Sequence, residues 1–171
     1  MFFKLIINEI LMKKAIIITG TPGTGKTVVA RKLSKLLKLK YINVKDLIVK
    51  NKLFDMYDKK FKTRIVDVKK LNKFLINLIK DSKNLIIDSH LSHYLPKEYV
   101  RLCIVTKCDL KTLLKRLKRR KYSKDKINEN MEAEILMACY LEALEMKHKI
   151  VEIDTTDLGK INKQIKRIKI K

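Results

Sequence analysis

Residues Gly20-Thr-Pro-Gly-Thr-Gly-Lys-Thr27 follow the spacing G-x-x-x-x-G-K-[ST], which suits one task well: wrapping a chain of phosphates. Backbone N–H groups must close around phosphate oxygens, and a Cβ at the wrong place would block that approach. The Lys26 ammonium has the reach to touch the outer phosphate oxygens. The Thr27 hydroxyl is a hard oxygen donor of the kind that binds Mg²⁺. Three of the chain's four glycines are spent on this loop, so a mere glycine turn with an incidental lysine explains it poorly. A second group follows in Leu85-Ile-Ile-Asp88-Ser-His90. It sets a carboxylate at the end of an apolar run, where it would complete the Mg²⁺ shell with Thr27. His90, two residues on, can face the same site and orient a water or hydroxyl group. His93 and His148 are given no role. The third group is Arg116, Arg119 and Arg120, drawn from only seven arginines in a chain with 34 lysines. Forked guanidiniums suit moving phosphoryl oxygens better than ammonium groups do. Arg116 and Arg120 share one edge of a helix, and we take them as a clamp; the bland alternative is a solvated basic face.

These groups need elements to hold them. Ala15–Thr19 is a short β-branched run, expected to form a strand buried on both faces. Lys26–Leu37 carries apolar residues at Val29, Leu33, Leu36 and Leu37, a helical spacing. Further strands are expected at 41–44, 84–88, 102–106 and 150–154. Helices are expected at 46–52, 67–81, 109–120 with a stripe of Leu110, Leu113, Leu114 and Leu117, 124–147 as one long helix, and from Leu158 onward. Residues 53–66 break periodicity and read as a mobile connection. Alternating strands and helices imply a parallel, doubly wound sheet with its site at the strands' C-terminal ends. The fold class expected is therefore α/β, of the phosphate-loop NTPase kind, with five parallel strands flanked by helices.

Composition sets the outer limits. The 171 residues suit one domain with a sizeable core. Cys103, Cys108 and Cys139 are an odd, unpaired set, which suits reduced thiols in the cytoplasm, with Cys103 in the core; no zinc-type spacing is present. Residues 1–11 are too short and too charged to span a bilayer. They read either as an extra arm or as a misassigned start, because Met12 also makes a natural beginning. The net charge of +23 attracts anions, nucleotides included. It is spread evenly, with 21 basic residues in 1–85 and 20 in 86–171, and so does not mark a dedicated RNA stripe. Non-specific RNA contact is an expectation that charge alone carries. Glu129, Glu132, Glu134, Glu142 and Glu145 make 124–147 the most acidic region and a candidate surface for a basic partner.

The ordered set of Gly20–Thr27, Lys40-Tyr-Ile-Asn-Val44, Asp88-x-His90, Arg116-x-x-x-Arg120-x-Tyr-Ser123 and Asn130-Met-Glu-Ala-Glu-Ile135 resembles the adenylate kinase isoenzyme six family across residues 13–155. This family comprises archaeal and eukaryotic kinase/ATPases linked to small ribosomal subunit maturation. The resemblance implies a nucleoside-monophosphate-kinase core with a monophosphate segment at 43–66 and a short lid at 119–129. It implies reversible phosphoryl transfer from Mg²⁺·ATP to AMP or a related monophosphate, together with ATP hydrolysis. It also implies transient binding to a platform ribosomal protein of the S-eleven family on the preribosome. The expected ATP contacts are Gly23, Thr24, Gly25, Lys26, Thr27 and Val28, with Arg120 closing from the lid; Thr27 and Asp88 are the metal side, and Lys26, His90, Arg116 and Arg120 the catalytic set. Lys121 stands where the family pattern leads us to expect glycine, a substitution that would stiffen the lid. Arg64 lies in the monophosphate segment, although the resemblance does not support a role for it.

Overall fold

A computed structural model describes residues 14–59, 63–82 and 84–168. The 1–11 arm therefore lies outside the described residues. In chain order the elements are β1 (Ala15–Thr19), α1 (Lys26–Leu37), β2 (Lys40–Asn43), α2 (Val44–Lys50), β3 (Met56–Asp58), β4 (Thr63–Ile65), α3 (Val68–Asp81), β5 (Leu85–Asp88), β6 (Val100–Lys107), α4 (Leu110–Arg119), α5 (Lys124–Ile135), α6 (Ala138–Glu145), β7 (Ile150–Asp154) and α7 (Ile161–Lys166).

Five strands form one parallel sheet in the order β2-β5-β1-β6-β7, the architecture expected. β1 is central and apolar on both faces, as its unbroken Ala-Ile-Ile-Ile run requires. Alternate residues feed opposite cores. Ile16 and Ile18 join Val29, Leu33, Ile161 and Ile165 beneath α1 and α7. Ala15 and Ile17 join Leu71, Leu75, Ile79 and Ala143 beneath α3 and α6. Parallel pairing puts every strand's C-terminal end on one edge, and the loops there build the site.

Four expectations need correction. The segment 53–66 is more than a connection: β3 and β4 pair antiparallel as a small hairpin. The long helix 124–147 is two helices broken at Leu136 and Met137, with Met137 left-handed at φ 52°. No Gly or Pro marks that break; α5 must end there for α6 to turn back over β6. In α1, Leu36 faces solvent, and in α4 Leu110 does too; Leu113 and Leu117 carry the buried stripe.

Scarce glycine leaves a second mark. Lys38, Lys52, Lys121 and Lys147 all adopt positive φ at or beyond helix ends, where glycine is normally favoured. A side chain in this conformation costs roughly 1–2 kcal/mol. Lys38→Gly is thus expected to stabilise the fold by about 0.5–1 kcal/mol in urea melts, whereas Lys35→Gly, inside α1, should destabilise it by about 1 kcal/mol. Equal effects of the two substitutions would contradict this assignment of strain.

Candidate phosphate-transfer site

The loop between β1 and α1 follows a path that glycine permits and is pinned from behind. Gly20 has φ 135° and Gly23 φ 102°. A Cβ on Gly20 would overlap the Thr106 carbonyl, and one on Gly23 would stand 2.7 Å from Leu113 Cδ1 and 3.1 Å from Leu117 Cδ2. The loop thus lies directly on β6 and on the buried stripe of α4. Thr24 is fully buried, and its hydroxyl lies 2.8 Å from Thr21 O and 2.7 Å from Thr106 Oγ1. Thr155, just past β7, donates to the Thr24 carbonyl. Arg116 donates to Thr155 O at 2.6 Å, to Thr155 Oγ1 at 3.1 Å and to Gly23 O at 3.5 Å. These ties hold the Gly23 and Thr24 carbonyls in place.

Helix α1 begins at Gly25 without any side-chain cap. By contrast, Asn43, Asp67, Asp109 and Ser123 each cap a helix start in this chain. An uncapped first turn leaves N–H donors and the positive end of the helix dipole for an anion. Lys26 Nζ meanwhile donates to Gly20 O at 2.6 Å and Thr21 O at 3.1 Å. Those carbonyls hold the ammonium over the loop, ready to exchange partners for phosphate oxygens.

Thr27 and Asp88 meet as the sequence suggested. Thr27 Oγ1 donates to Asp88 Oδ2 at 2.7 Å. Asp88 is 5% exposed, at the end of β5 next to β1. The same Oδ2 accepts the Tyr41 hydroxyl at 2.9 Å. A hydroxyl and a carboxylate oxygen side by side at the first turn of α1 are the hard donors that Mg²⁺ takes, and the pair fits that ion. Burial and then the Asp88 charge raise the Tyr41 pKa, so it remains a phenol donor.

The remaining residues divide. His90 is exposed just past β5, near enough to Lys26 to feel its charge. Protein packed on its other sides, then Lys26, His93 and Lys126, lower its pKa to about 4, so the imidazole is neutral at pH 7. Arg120 ends α4 exposed, yet near enough to Lys26 to depress its pKa. Arg116 is a correction to the expected clamp, since its guanidinium is spent on Gly23 and Thr155. Thr24 and Val28 also differ from simple ATP contacts: the Thr24 N–H goes to Thr21 O at 3.1 Å and the Val28 N–H to Gly25 O at 3.0 Å. Lys121 sits at φ 56°, a conformation that glycine would enter without strain. Arg64 lies over the Phe54 ring at 5.3 Å and is exposed. Sequence reasoning missed Tyr41 and Thr155. The threonines after β7, at the edge where all strands end, were a signal for the second.

This geometry has counterparts. The AAA domain family matches residues 16–137, a span that takes in the loop, Asp88, His90 and Arg120. The chain belongs to that family. It is 43% identical over 141 residues to a Pyrococcus furiosus protein named "Putative adenylate kinase", covering 82% of this chain and 74% of the relative. A Methanocaldococcus jannaschii protein of the same name is 38% identical over 83% of this chain and 77% of its own length. Among solved structures, shikimate kinase from Acinetobacter baumannii in complex with shikimate superposes with TM-score 0.58 at 16% identity, over 91% of this chain and 96% of the other. A sugar kinase from Janibacter sp. gives TM-score 0.61 at 13% identity, over 90% and 91%. At such identity the structures speak for the fold alone. Among the described residues no helix is long and apolar enough to cross a membrane.

Lys26 supplies a pH test. Burial lowers its pKa to about 8, with Arg120 adding to the shift and Cys139, Asp88 and Glu134 opposing it. Bound phosphates favour the ammonium and raise its pKa, so binding is strongest below the free value and weakens above it. ATP affinity measured calorimetrically is expected to be flat from pH 6.5 to 7.5 and to fall by up to about tenfold per unit above pH 8. A flat profile to pH 9.5 would show that the Lys26 charge does not contribute.

Proposed function

We propose that the chain is a Mg²⁺-dependent nucleoside monophosphate kinase, moving the γ-phosphoryl group of ATP to AMP or a related monophosphate, with ATP hydrolysis as a second outcome. The observation that carries this is the open amide loop with Lys26 on one side and the Thr27–Asp88 pair on the other. Relatives that carry an adenylate kinase name support the same reading. The resemblance to the isoenzyme six family names the acceptor segment, 43–66, where the β3–β4 hairpin stands beyond β2.

Transfer of this kind needs positioning and charge stabilisation more than covalent chemistry from the protein. Loop amides and Lys26 hold the triphosphate. Thr27 and Asp88 would hold Mg²⁺, which would supply charge neutralisation on the phosphate oxygens. Arg116 keeps the loop shaped by tying Gly23 to Thr155. Arg120, exposed at the start of the 119–129 lid, is the arginine that meets the moving phosphoryl group when the lid closes and water is excluded. His90, neutral, accepts a hydrogen bond from a water or acceptor hydroxyl and orients it.

One observation favours a second, partner-linked role. At the α5–α6 junction Ile135, Leu136 and Met137 are exposed, with Leu141 and Leu144 further along α6. Glu129, Glu132 and Glu145 are exposed on the same two helices, while Glu134 turns in to accept the Cys108 N–H and Glu142 turns toward His93. An apolar and acidic face on a chain of +23 suits a basic protein, such as the S-eleven family ribosomal protein that the resemblance implies. ATP hydrolysis would then switch release from the preribosome.

A turnover assay on ATP with and without AMP, run on four variants, tests the reading. Lys26→Ala should lose both activities. Arg120→Ala should keep its melting temperature and lose roughly 10³-fold in kcat, whereas Arg116→Ala should lose stability as well. His90→Ala should harm hydrolysis more than transfer. Near-normal turnover in Lys26→Ala would sink the assignment.

A further inference from the structure

Behind the loop, on the α6 face of the sheet, three side chains from distant parts of the chain converge. His93 belongs to the short 3-10 turn Ser92–Tyr94 after β5, and Cys139 and Glu142 stand one helical turn apart on α6. One donor atom from each, the imidazole nitrogen, the thiol sulfur and a carboxylate oxygen, lies within 4.8 Å of both others. No zinc-type spacing links them, because 45 residues and three elements lie between the first donor and the second.

His93 is the informative member. It is 1% exposed, and its Nε2 has no hydrogen bond. Glu142 Oε2 stands 2.9 Å away but off the direction in which the ring could donate. A buried polar atom without a partner is uncommon and needs a reason. The other nitrogen, Nδ1, is engaged with Thr19 Oγ1 at 2.7 Å. When Nδ1 donates that hydrogen, Nε2 carries a bare lone pair only 2.9 Å from a carboxylate oxygen, and two acceptors this close repel unless a cation joins them. A second hydrogen-bonded ring nitrogen is also what fixes the tautomer of a metal-bound histidine. Burial lowers the His93 pKa, which keeps the ring neutral and able to act as a ligand.

We propose that His93, Cys139 and Glu142 form a binding site for a zinc-class divalent cation, with the fourth position open to water. Nitrogen, sulfur and carboxylate oxygen together suit a borderline ion, and Mg²⁺ would avoid the thiol. In a tetrahedral site with bonds of about 2.0–2.3 Å, donors stand roughly 3.3–3.6 Å apart, so the thiol must close on the other two donors by up to about 1.3 Å, a movement within reach of the Cys139 rotamer and the first turn of α6. An entry path exists. Cys139 lines a cavity of about 370 Å³ bounded also by Gly20, Thr21, Cys108 and Glu134, and Glu142 is 38% exposed. The ion would tie α6 to the 3-10 turn after β5, whose His93 is hydrogen-bonded to Thr19 at the end of β1 beside the phosphate loop, independently of the proposed kinase activity. On binding, the Cys139 proton leaves to solvent as the thiolate forms.

Cobalt(II) titration of the purified full chain, without nucleotide, tests the site. Saturation at one equivalent with an intense near-ultraviolet thiolate-to-cobalt band is expected, and Zn²⁺ should displace the cobalt. Cys139→Ser should remove the band, and a Cys103→Ser/Cys108→Ser double variant should keep it. Glu142→Gln, changed at a half-exposed position, should weaken cobalt binding by at least about tenfold, and it decides the matter even if Cys139→Ser does not fold. Absence of the band at saturation, its survival in Cys139→Ser, or unchanged affinity in Glu142→Gln would each overturn the proposal and leave a hydrogen-bonded structural histidine.

Discussion

Backbone amides can serve an anion only if nothing else in the protein uses them, and that constraint shapes the whole top edge of this molecule. An amide left open is costly unless its loop is prevented from relaxing. Here the loop is pinned through its carbonyls. Gly20 and Thr21 are held by Lys26, Gly23 by Arg116, and Thr24 by Thr155. Each tie comes from a different element, so β7 and α4 must be in place before the loop can hold its shape. Glycine at positions 20 and 23 lets the backbone take this path without strain and leaves room for β6 and α4 to press against it.

The same logic explains why two arginines one turn apart do different work. Arg116 and Arg120 share a helix edge, as their spacing requires. Arg116 lies over the loop, where unsatisfied carbonyls attract its fork. Arg120 is one turn further on, beyond the last of those carbonyls, and stays exposed. A guanidinium already committed to carbonyls holds geometry; one left in solvent near Lys26 can respond to a ligand. Similarly, Asp88 is fixed in place by the Thr27 and Tyr41 hydroxyls, so its carboxylate is already organised at the first turn of α1.

Much of this was legible in the chain itself. β1, α1 and β7 fall where periodicity set them, because an unbroken β-branched run and a glycine-rich turn leave few alternatives. Thr27 with Asp88 was legible because parallel strands must end on one edge. Tyr41 was not, because its contact depends on the register of β2 against β5, with Tyr41 opposite Ile86. The break at Met137 was not legible either, since packing over β6 overrides helix propensity there. The His93, Cys139 and Glu142 cluster is purely tertiary: no spacing rule links a 3-10 turn after β5 to α6. Lysines at positive φ belong to the same lesson. A chain with four glycines keeps three for the phosphate loop and caps helices with whatever residue stands there.

The central claim is that the pinned loop delivers a phosphoryl group to a nucleotide acceptor. The most direct test is ³¹P NMR of the products formed from Mg²⁺·ATP with and without AMP. The account predicts that AMP diverts the phosphoryl group, so that ADP accumulates with little free phosphate, and that free phosphate appears slowly when AMP is absent. Release of free phosphate at the same rate in both samples, with no AMP consumed, would contradict it.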